Sequence, residues 1–477
     1  MSRKKTPQVT PFQLIYERIL RISLLLLGTF HMILSFARHY FSPENALFRS
    51  LVVRVSAKAE EWFALALLVA ALLYLVLSKA RFHDTWLRVR AWFSGVRSVE
   101  GILLFCLFGY FVFCSYITSK YYTNVFKTND FLLFDTAVCI LVFFTMPLAV
   151  GVRKAKLYID IMLHITMLLS TIFIVWALWN LFRLNLVTLP NGLQFGMTEG
   201  YRLYPGVNSN IGAAIGVTMV LISLYMISSH RWPIKLIYSI VLIPHLCATI
   251  LTNSRGSFLS LIVAFPLFAF MLVWGKTQKL HAFKRALISG IAAVAMIAFV
   301  ILVRYSVFYI FEKVTHLSEY LGAEPNIREI EPDSARLKIW NASVHLMFSD
   351  AKEFFFGAPI TVIPTQIKDS LTRIYGNGSL FAHAHNIILQ TGLIAGVPGM
   401  LLFLAFLFRI LMPCVRIGIG KKSQAYPGSY FLPIAVLAML VANMFEPFLL
   451  FYISSMACLF FLFCGYIVAI DREESAQ

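Results

Sequence analysis

The feature that most constrains this chain is the recurrence of apolar runs, each long enough to cross a bilayer. A spanning helix needs about 20 mostly apolar residues to traverse about 30 Å of hydrocarbon. Twelve segments meet that requirement, approximately 16–36, 62–78, 99–118, 131–150, 157–181, 211–228, 235–252, 257–274, 286–304, 388–410, 429–445 and 447–469. They predict an all-α, polytopic membrane protein of about 12 transmembrane helices. Composition agrees, since 59% of the 477 residues are hydrophobic and only 13% are charged, against about 25% charged in soluble domains. A disordered, collagenous or disulfide-stapled chain is excluded.

An even number of spans puts both termini on one side. The loops on the side of the termini carry 22 Lys and Arg, and the short loops opposite carry 9. Short cytoplasmic loops are enriched in basic residues, so both termini are expected in the cytoplasm. The net charge of +18 would suggest a nucleic-acid partner in a soluble protein. Here most of it is an orientation signal, with attraction to anionic membrane lipid as a weaker reading, and no nucleic-acid partner is expected. The chain divides into helices 1–9 over 1–304, one long outer loop over 305–387, and helices 10–12 with a cytoplasmic tail over 388–477. The first apolar stretch is interrupted by Glu17, Arg18 and Arg21 and reads as a retained helix rather than a cleaved leader.

All seven cysteines (Cys106, Cys114, Cys139, Cys247, Cys414, Cys458 and Cys464) lie in or beside apolar runs. They read as small packing residues, so neither a disulfide framework nor a cysteine metal site is expected. A nucleotide-binding glycine loop and a long cytoplasmic domain are both lacking, which argues against ATP-driven transport and against a soluble nucleotide-sugar donor.

Polar residues gather in four places on the outer side. Before the sixth span, Arg202 stands among Tyr201, Tyr204 and Pro205-Gly206, and Asn208 or Asn210 is positioned to cap the helix that follows. An arginine beside a helix start can form an anion pocket or can reach out to lipid headgroups. A tight turn, Thr252-Asn253-Ser254-Arg255-Gly256-Ser257, holds a second arginine, which can meet a ligand or bond helix-end carbonyls. Asp333-Ser334-Ala-Arg336-Leu-Lys338-Ile-Trp340, continuing through His345 to Phe348, predicts an amphipathic helix on the outer membrane face, with Asp333 or Ser334 as its cap. The fourth is Phe381-Ala-His383-Ala-His385-Asn386. Two imidazoles are too few for an ordinary metal site, and imidazole is suited to general-base work. Glu446, in the short turn between the last two spans, can orient a histidine, pair with an arginine or simply face solvent.

Together these residues resemble the O-antigen ligase/polymerase superfamily. The resemblance rests on Arg202-x-x-x-Gly206-x-x-Ser209-Asn210, Asn253-Ser254-Arg255-Gly256, Arg336-x-x-x-Trp340 with a later Phe-Phe-Gly357, and His383-Ala-His385-Asn386-x-x-Leu389-Gln-x-Gly392 with Gly396 and Gly399. One departure is Asn208-Ser209-Asn210, where the family more often has Asn-Pro-Asn.

The resemblance implies a GT-C type membrane glycosyltransferase of the cytoplasmic (inner) membrane. It implies a polyprenyl-diphosphate-linked glycan donor, an acceptor hydroxyl on a glycolipid, polysaccharide or protein, inversion at the anomeric carbon, and no cofactor or metal. It assigns Arg202 and Arg255 to the donor diphosphate and His385 to deprotonation of the acceptor, with Arg336, His383, Asn386 and Glu446 in support. Ligase, polymerase and protein O-oligosaccharyltransferase share this chemistry, and His383 stays an alternative base. A transporter is the competing class, but it predicts charges deep within spans and often internal repeats. Here Asp135 is the clearest midspan acid and the polar motifs cluster on one side.

The topology has a direct check. A cysteine introduced at Lys338 is expected to react with a membrane-impermeant maleimide while the cytoplasmic membrane is intact, whereas one appended after Gln477 reacts only after permeabilisation.

Overall fold

The computed structural model describes residues 22–23, 25–35, 55, 58–59, 61–67, 69, 98–120, 136–189, 193–198, 202–206, 208–317, 319, 334–376, 381, 383–419, 430–450 and 455–475. The segments expected at 62–78 and at the start of 16–36, and the proposed cap Asp333, lie largely or wholly outside these residues.

Besides helical residues at 22–23, within 55–69 and at 317 and 319, fourteen helices and three short strands follow one another among the described residues. They are α1 (Leu25–Ser35), α2 (Val99–Ser119), α3 (Thr136–Val150), α4 (Val152–Phe182), β1 (Leu186–Thr188), β2 (Gln194–Thr198), β3 (Arg202–Pro205), α5 (Ser209–Ser229), α6 (Trp232–Leu251), α7 (Arg255–Lys276), α8 (Ala282–Thr315), α9 (Ser334–Met347), α10 (Ala351–Phe356), α11 (Ile363–Tyr375), α12 (Ile387–Ile419), α13 (Phe431–Asn443) and α14 (Ser455–Ser475). Eight of them (α2, α4, α5, α6, α7, α8, α12 and α14) are long and apolar enough to cross a membrane, and α1, α3 and α13 are shorter apolar helices. The polytopic helical class is therefore as expected, while the described residues do not establish twelve spans.

Burial follows from what each helix faces. α5 has 83% of its apolar window buried and α8 only 11%, so α5 runs through the bundle and α8 lines its outside. Exposed Leu287, Ile291, Val294 and Leu302 on α8 are suited to lipid, which needs no polar partner. α2 and α12 pack antiparallel: the Cys114 thiol lies 3.9 Å from the Ala395 carbonyl, and farther along Arg409 on α12 pairs with buried Glu100 at the start of α2, at 2.9 Å.

Three features differ from the sequence expectation. First, α8 runs to Thr315, well beyond the apolar run ending at 304. Second, the stretch from 182 to 210 contains an antiparallel sheet in the order β1-β2-β3. It forms because Phe195 and Leu203 are both fully buried, with Phe195 stacked 4.3 Å from Trp176 of α4. Third, residues 447–450 are not helical, and the last span is helical over Ser455–Ser475. The Asn443 side chain accepts the Phe448 and Leu449 N–H groups at 2.8 and 3.1 Å, and so closes a turn where a helix start was expected.

The predicted amphipathic helix is present as α9. Its inner face is Ile339, Ala342 and Met347, while Leu337, Val344 and Phe348 are exposed. Ser370 of α11 donates to the Ala342 carbonyl at 3.0 Å, so α9 is docked on protein along one face and presents apolar side chains along the other. α10 meets α12 backbone to backbone, with the Ala358 N–H donating to the Leu393 carbonyl at 2.7 Å. α12 breaks at this point, and Gly396 takes φ 66°. A Cβ on Gly396 would stand 2.4 Å from the Phe355 carbonyl oxygen. Gly396→Val is accordingly expected to cost about 3 kcal/mol through backbone strain and overpacking, read as a lowered melting temperature of the detergent-purified protein.

Candidate active site

Five chain segments converge at one end of the bundle. Their centre is the turn after α13, where Glu446 is 3% exposed. An isolated carboxylate there would be costly to bury. Each of its oxygens instead meets an imidazole: His383 Nε2 lies 3.0 Å from Oε1 and His385 Nδ1 lies 3.1 Å from Oε2. The two rings stand edge to face, with centroids 4.3 Å apart.

The hydrogen bonds assign the tautomers. The His385 backbone N–H donates to His383 Nδ1 at 3.3 Å, so that nitrogen is an acceptor and the His383 ring proton sits on Nε2, pointing at Glu446. His385 correspondingly donates Nδ1–H to Glu446, which leaves the lone pair on its Nε2. A base oriented by a buried carboxylate is the arrangement found in catalytic triads. His385 also has φ 51°, left-handed for a residue with a Cβ, a conformation that costs of order 1–3 kcal/mol unless its surroundings impose it.

Those surroundings are the start of α12. The Asn386 side chain accepts the Ile388 and Leu389 N–H groups at 2.9 and 3.2 Å and is the helix cap. The Gln390 side chain accepts the Ala384 N–H at 2.9 Å. Asn386 thus shapes the loop that carries both histidines. Buried Gln390, which the motif carries without an assigned role, holds the histidine loop from the other side.

Arg202 approaches the same end from β3. Its Nε donates to the Thr252 carbonyl and its Nη2 to the Asn210 side chain, both at 2.8 Å. Asn208 caps α5, accepting the Asn210 N–H at 2.9 Å. Ser209 therefore occupies the first helical position, where proline is also tolerated, so the departure from Asn-Pro-Asn keeps both asparagines in use. The Thr252 carbonyl belongs to the turn that leads into Arg255, the first residue of α7. The two arginines thereby flank one turn, in which Asn253 is left-handed at φ 51°.

A third arginine braces that turn and was not singled out in the sequence. Arg304 of α8 is buried, lies over the Phe258 ring at 4.2 Å and donates to the Asn253 side chain at 3.4 Å. Its signal was an arginine closing an otherwise apolar run.

Phe445 joins the arginine turn to the histidine pair. A Cβ on Gly256 would stand 2.7 Å from the Phe445 Cβ, so only glycine allows this approach. On another side the Arg336 guanidinium lies 5.5 Å from the Phe445 ring centroid, within cation–π range. Arg202, Arg255, Arg336, His383, His385 and Glu446 thus form one continuous region.

His383, His385 and Glu446 each offer a donor atom within 4.8 Å of the others, and they form one of two groups among the described residues that could hold a metal ion. Three ligands suit an open metal site. The observed hydrogen bonding needs none.

A polytopic membrane protein carrying an arginine and histidine site at one end of its bundle is the class that fold and geometry define. Residues 240–404 match the family model described as O-antigen ligase, which supports the O-antigen ligase/polymerase superfamily. The match includes Arg255, Arg336, His383, His385 and Asn386, with Arg202 and Glu446 on either side of it. No curated protein matches the chain.

Burial alone would raise the Glu446 carboxyl, but the electrostatic attraction and hydrogen bonds of the two imidazoles that meet its oxygens outweigh it and hold the group well below the usual carboxylate range. A folded-state value below the unfolded one, about 4.3 for glutamate, contributes stability at neutral pH that is lost as pH falls through the folded value. The melting temperature is therefore expected to drop between pH 5 and 3 by more in the native protein than in Glu446→Gln, measured by fluorescence-detected unfolding in detergent.

Proposed function

We propose that this chain is an inverting membrane glycosyltransferase of the O-antigen ligase type. It transfers a glycan from a polyprenyl-diphosphate-linked donor to an acceptor hydroxyl at the outer face of the cytoplasmic membrane. The observation that carries the reading is the pairing of the Arg202 and Arg255 turn with a carboxylate-anchored His385 at the same end of the bundle.

Transfer breaks the bond between the anomeric carbon and the diphosphate oxygen and leaves negative charge on the departing lipid diphosphate. Guanidinium groups stay charged and match phosphate oxygens in pairs. Arg202 and Arg255 bind that charge as it develops, the task a divalent cation performs in other phosphate chemistry. The acceptor hydroxyl gives its proton to His385 Nε2, and its oxygen bonds to the anomeric carbon on the face opposite the diphosphate, inverting the configuration. Glu446 remains ionised throughout and stabilises the imidazolium. His383 is a positioning residue, because its ring proton is committed to Glu446 and its Nδ1 to the backbone of His385. The lipid tail of the donor stays in the bilayer, which accounts for a site at a membrane surface.

Purified protein with a diphosphate-linked lipid donor and candidate acceptors tests this, with product read by mass. His385→Ala is expected to lower kcat by about 10²–10⁴-fold, Arg202→Ala and Arg255→Ala by at least about 10²-fold, and His383→Ala by less than His385→Ala. One added glycan block identifies a ligase and a ladder a polymerase. Normal transfer by His385→Ala removes the base assignment, and a donor left unchanged under every condition favours transport.

A further inference from the structure

Away from the arginine and histidine site, the bundle brings together three side chains that sequence spacing gives no reason to associate. Cys139 lies in the π-helical stretch Cys139–Phe144 of α3, Cys458 one turn into α14, and His31 in α1. All three are buried. The Cys139 and Cys458 sulfurs are 3.9 Å apart, across 319 residues of sequence, and one ligand atom from each of the three residues lies within 4.8 Å of the others.

The backbone is built to hold them there. A π-helical turn inserts a residue into the helix and re-aims the side chains that follow, and such turns recur at functional sites. α14 presses on this turn through Gly465, where an added Cβ would stand 2.1 Å from the Phe144 carbonyl oxygen. The His31 ring packs on Phe143 of the same turn, with centroids 5.8 Å apart. The geometry points to a buried zinc site formed by His31, Cys139 and Cys458, which ties the first apolar helix to the last.

Distance and charge both select this ion. With zinc–sulfur bonds of about 2.3 Å, two thiolates at a tetrahedral angle sit about 3.8 Å apart, against the 3.9 Å found here. On binding, each thiol gives up its proton and forms a sulfur–metal bond, and His31 donates a ring nitrogen lone pair. Two thiolates, one divalent ion and a neutral imidazole sum to zero charge, which an apolar interior tolerates. A monovalent copper ion on the same donors would leave a net negative charge, and calcium or magnesium would require oxygen ligands. A cystine would need the sulfurs drawn to about 2.05 Å, against the 3.9 Å found here.

The test uses the full chain purified in detergent from zinc-replete cells, with metal measured by elemental mass spectrometry. About one zinc per chain is expected for a site of this kind. Cys139→Ser/Cys458→Ser and His31→Ala are expected to lower that at least tenfold, while His383→Ala/His385→Ala retains it. Should the core variants fail to fold, unsubstituted protein exchanged with cobalt(II) gives an independent reading, since two thiolate ligands produce a sulfur-to-cobalt charge-transfer absorption. The proposal is overturned if the unsubstituted chain takes up neither zinc nor cobalt. It is equally overturned if metal loss follows His383 and His385 instead, or if Cys139 and Cys458 are recovered as a disulfide.

Discussion

Hydrocarbon does not hydrogen-bond, and the rest of this structure depends on that fact. Every backbone group within the apolar runs must be satisfied by its own helix, so the chain is committed to long helices joined at their ends. Polar side chains able to meet a lipid-anchored substrate then collect where helices start, stop or break. Arg255 begins α7, His385 precedes α12, Glu446 follows α13 and Arg202 lies on a strand just before α5. A site assembled from helix ends inherits the rigidity of the helices and lies where a lipid-anchored substrate would present its polar head.

Within that frame the buried carboxylate organises the chemistry. Glu446 is tolerable only because two imidazoles meet its two oxygens, and the same bonds fix which ring nitrogen of His385 keeps its lone pair. The arginine side is organised differently. Arg202, Arg255 and Arg304 share one turn, braced by the Thr252 carbonyl, the Asn253 side chain and the Phe258 ring. Phe445 stands between the two halves, touching Gly256 on one side and Arg336 on another, so that displacing it would disturb both.

Much of this was legible in the sequence, for physical reasons that differ from residue to residue. Length and apolarity alone make α5, α7 and α12 spans. Arg202, Arg255 and the histidine pair stand out because charged and polar groups are costly in such a chain and are retained where they are used. The β1-β2-β3 sheet was invisible because its strands are short and its stability comes from Phe195 stacking on Trp176, a contact between distant segments. Asn386 was singled out as a site residue, and the structure adds that its side chain caps the start of its own helix. Arg304 was passed over because nothing local distinguishes it from the end of an apolar run.

By itself the sequence determined that the chain is a helical membrane protein, which residue types its polar ends carry, and the family those motifs resemble. These are local properties, set by how many apolar residues stand in a row and by which polar residues interrupt them. Only the tertiary structure decided that Glu446 meets both histidines, that two arginines flank one turn, and that Cys139 and Cys458 face each other beside His31. Those meetings depend on how helices far apart in sequence cross and pack, which the close approaches at Gly256 and Gly465 fix and no spacing along the chain records.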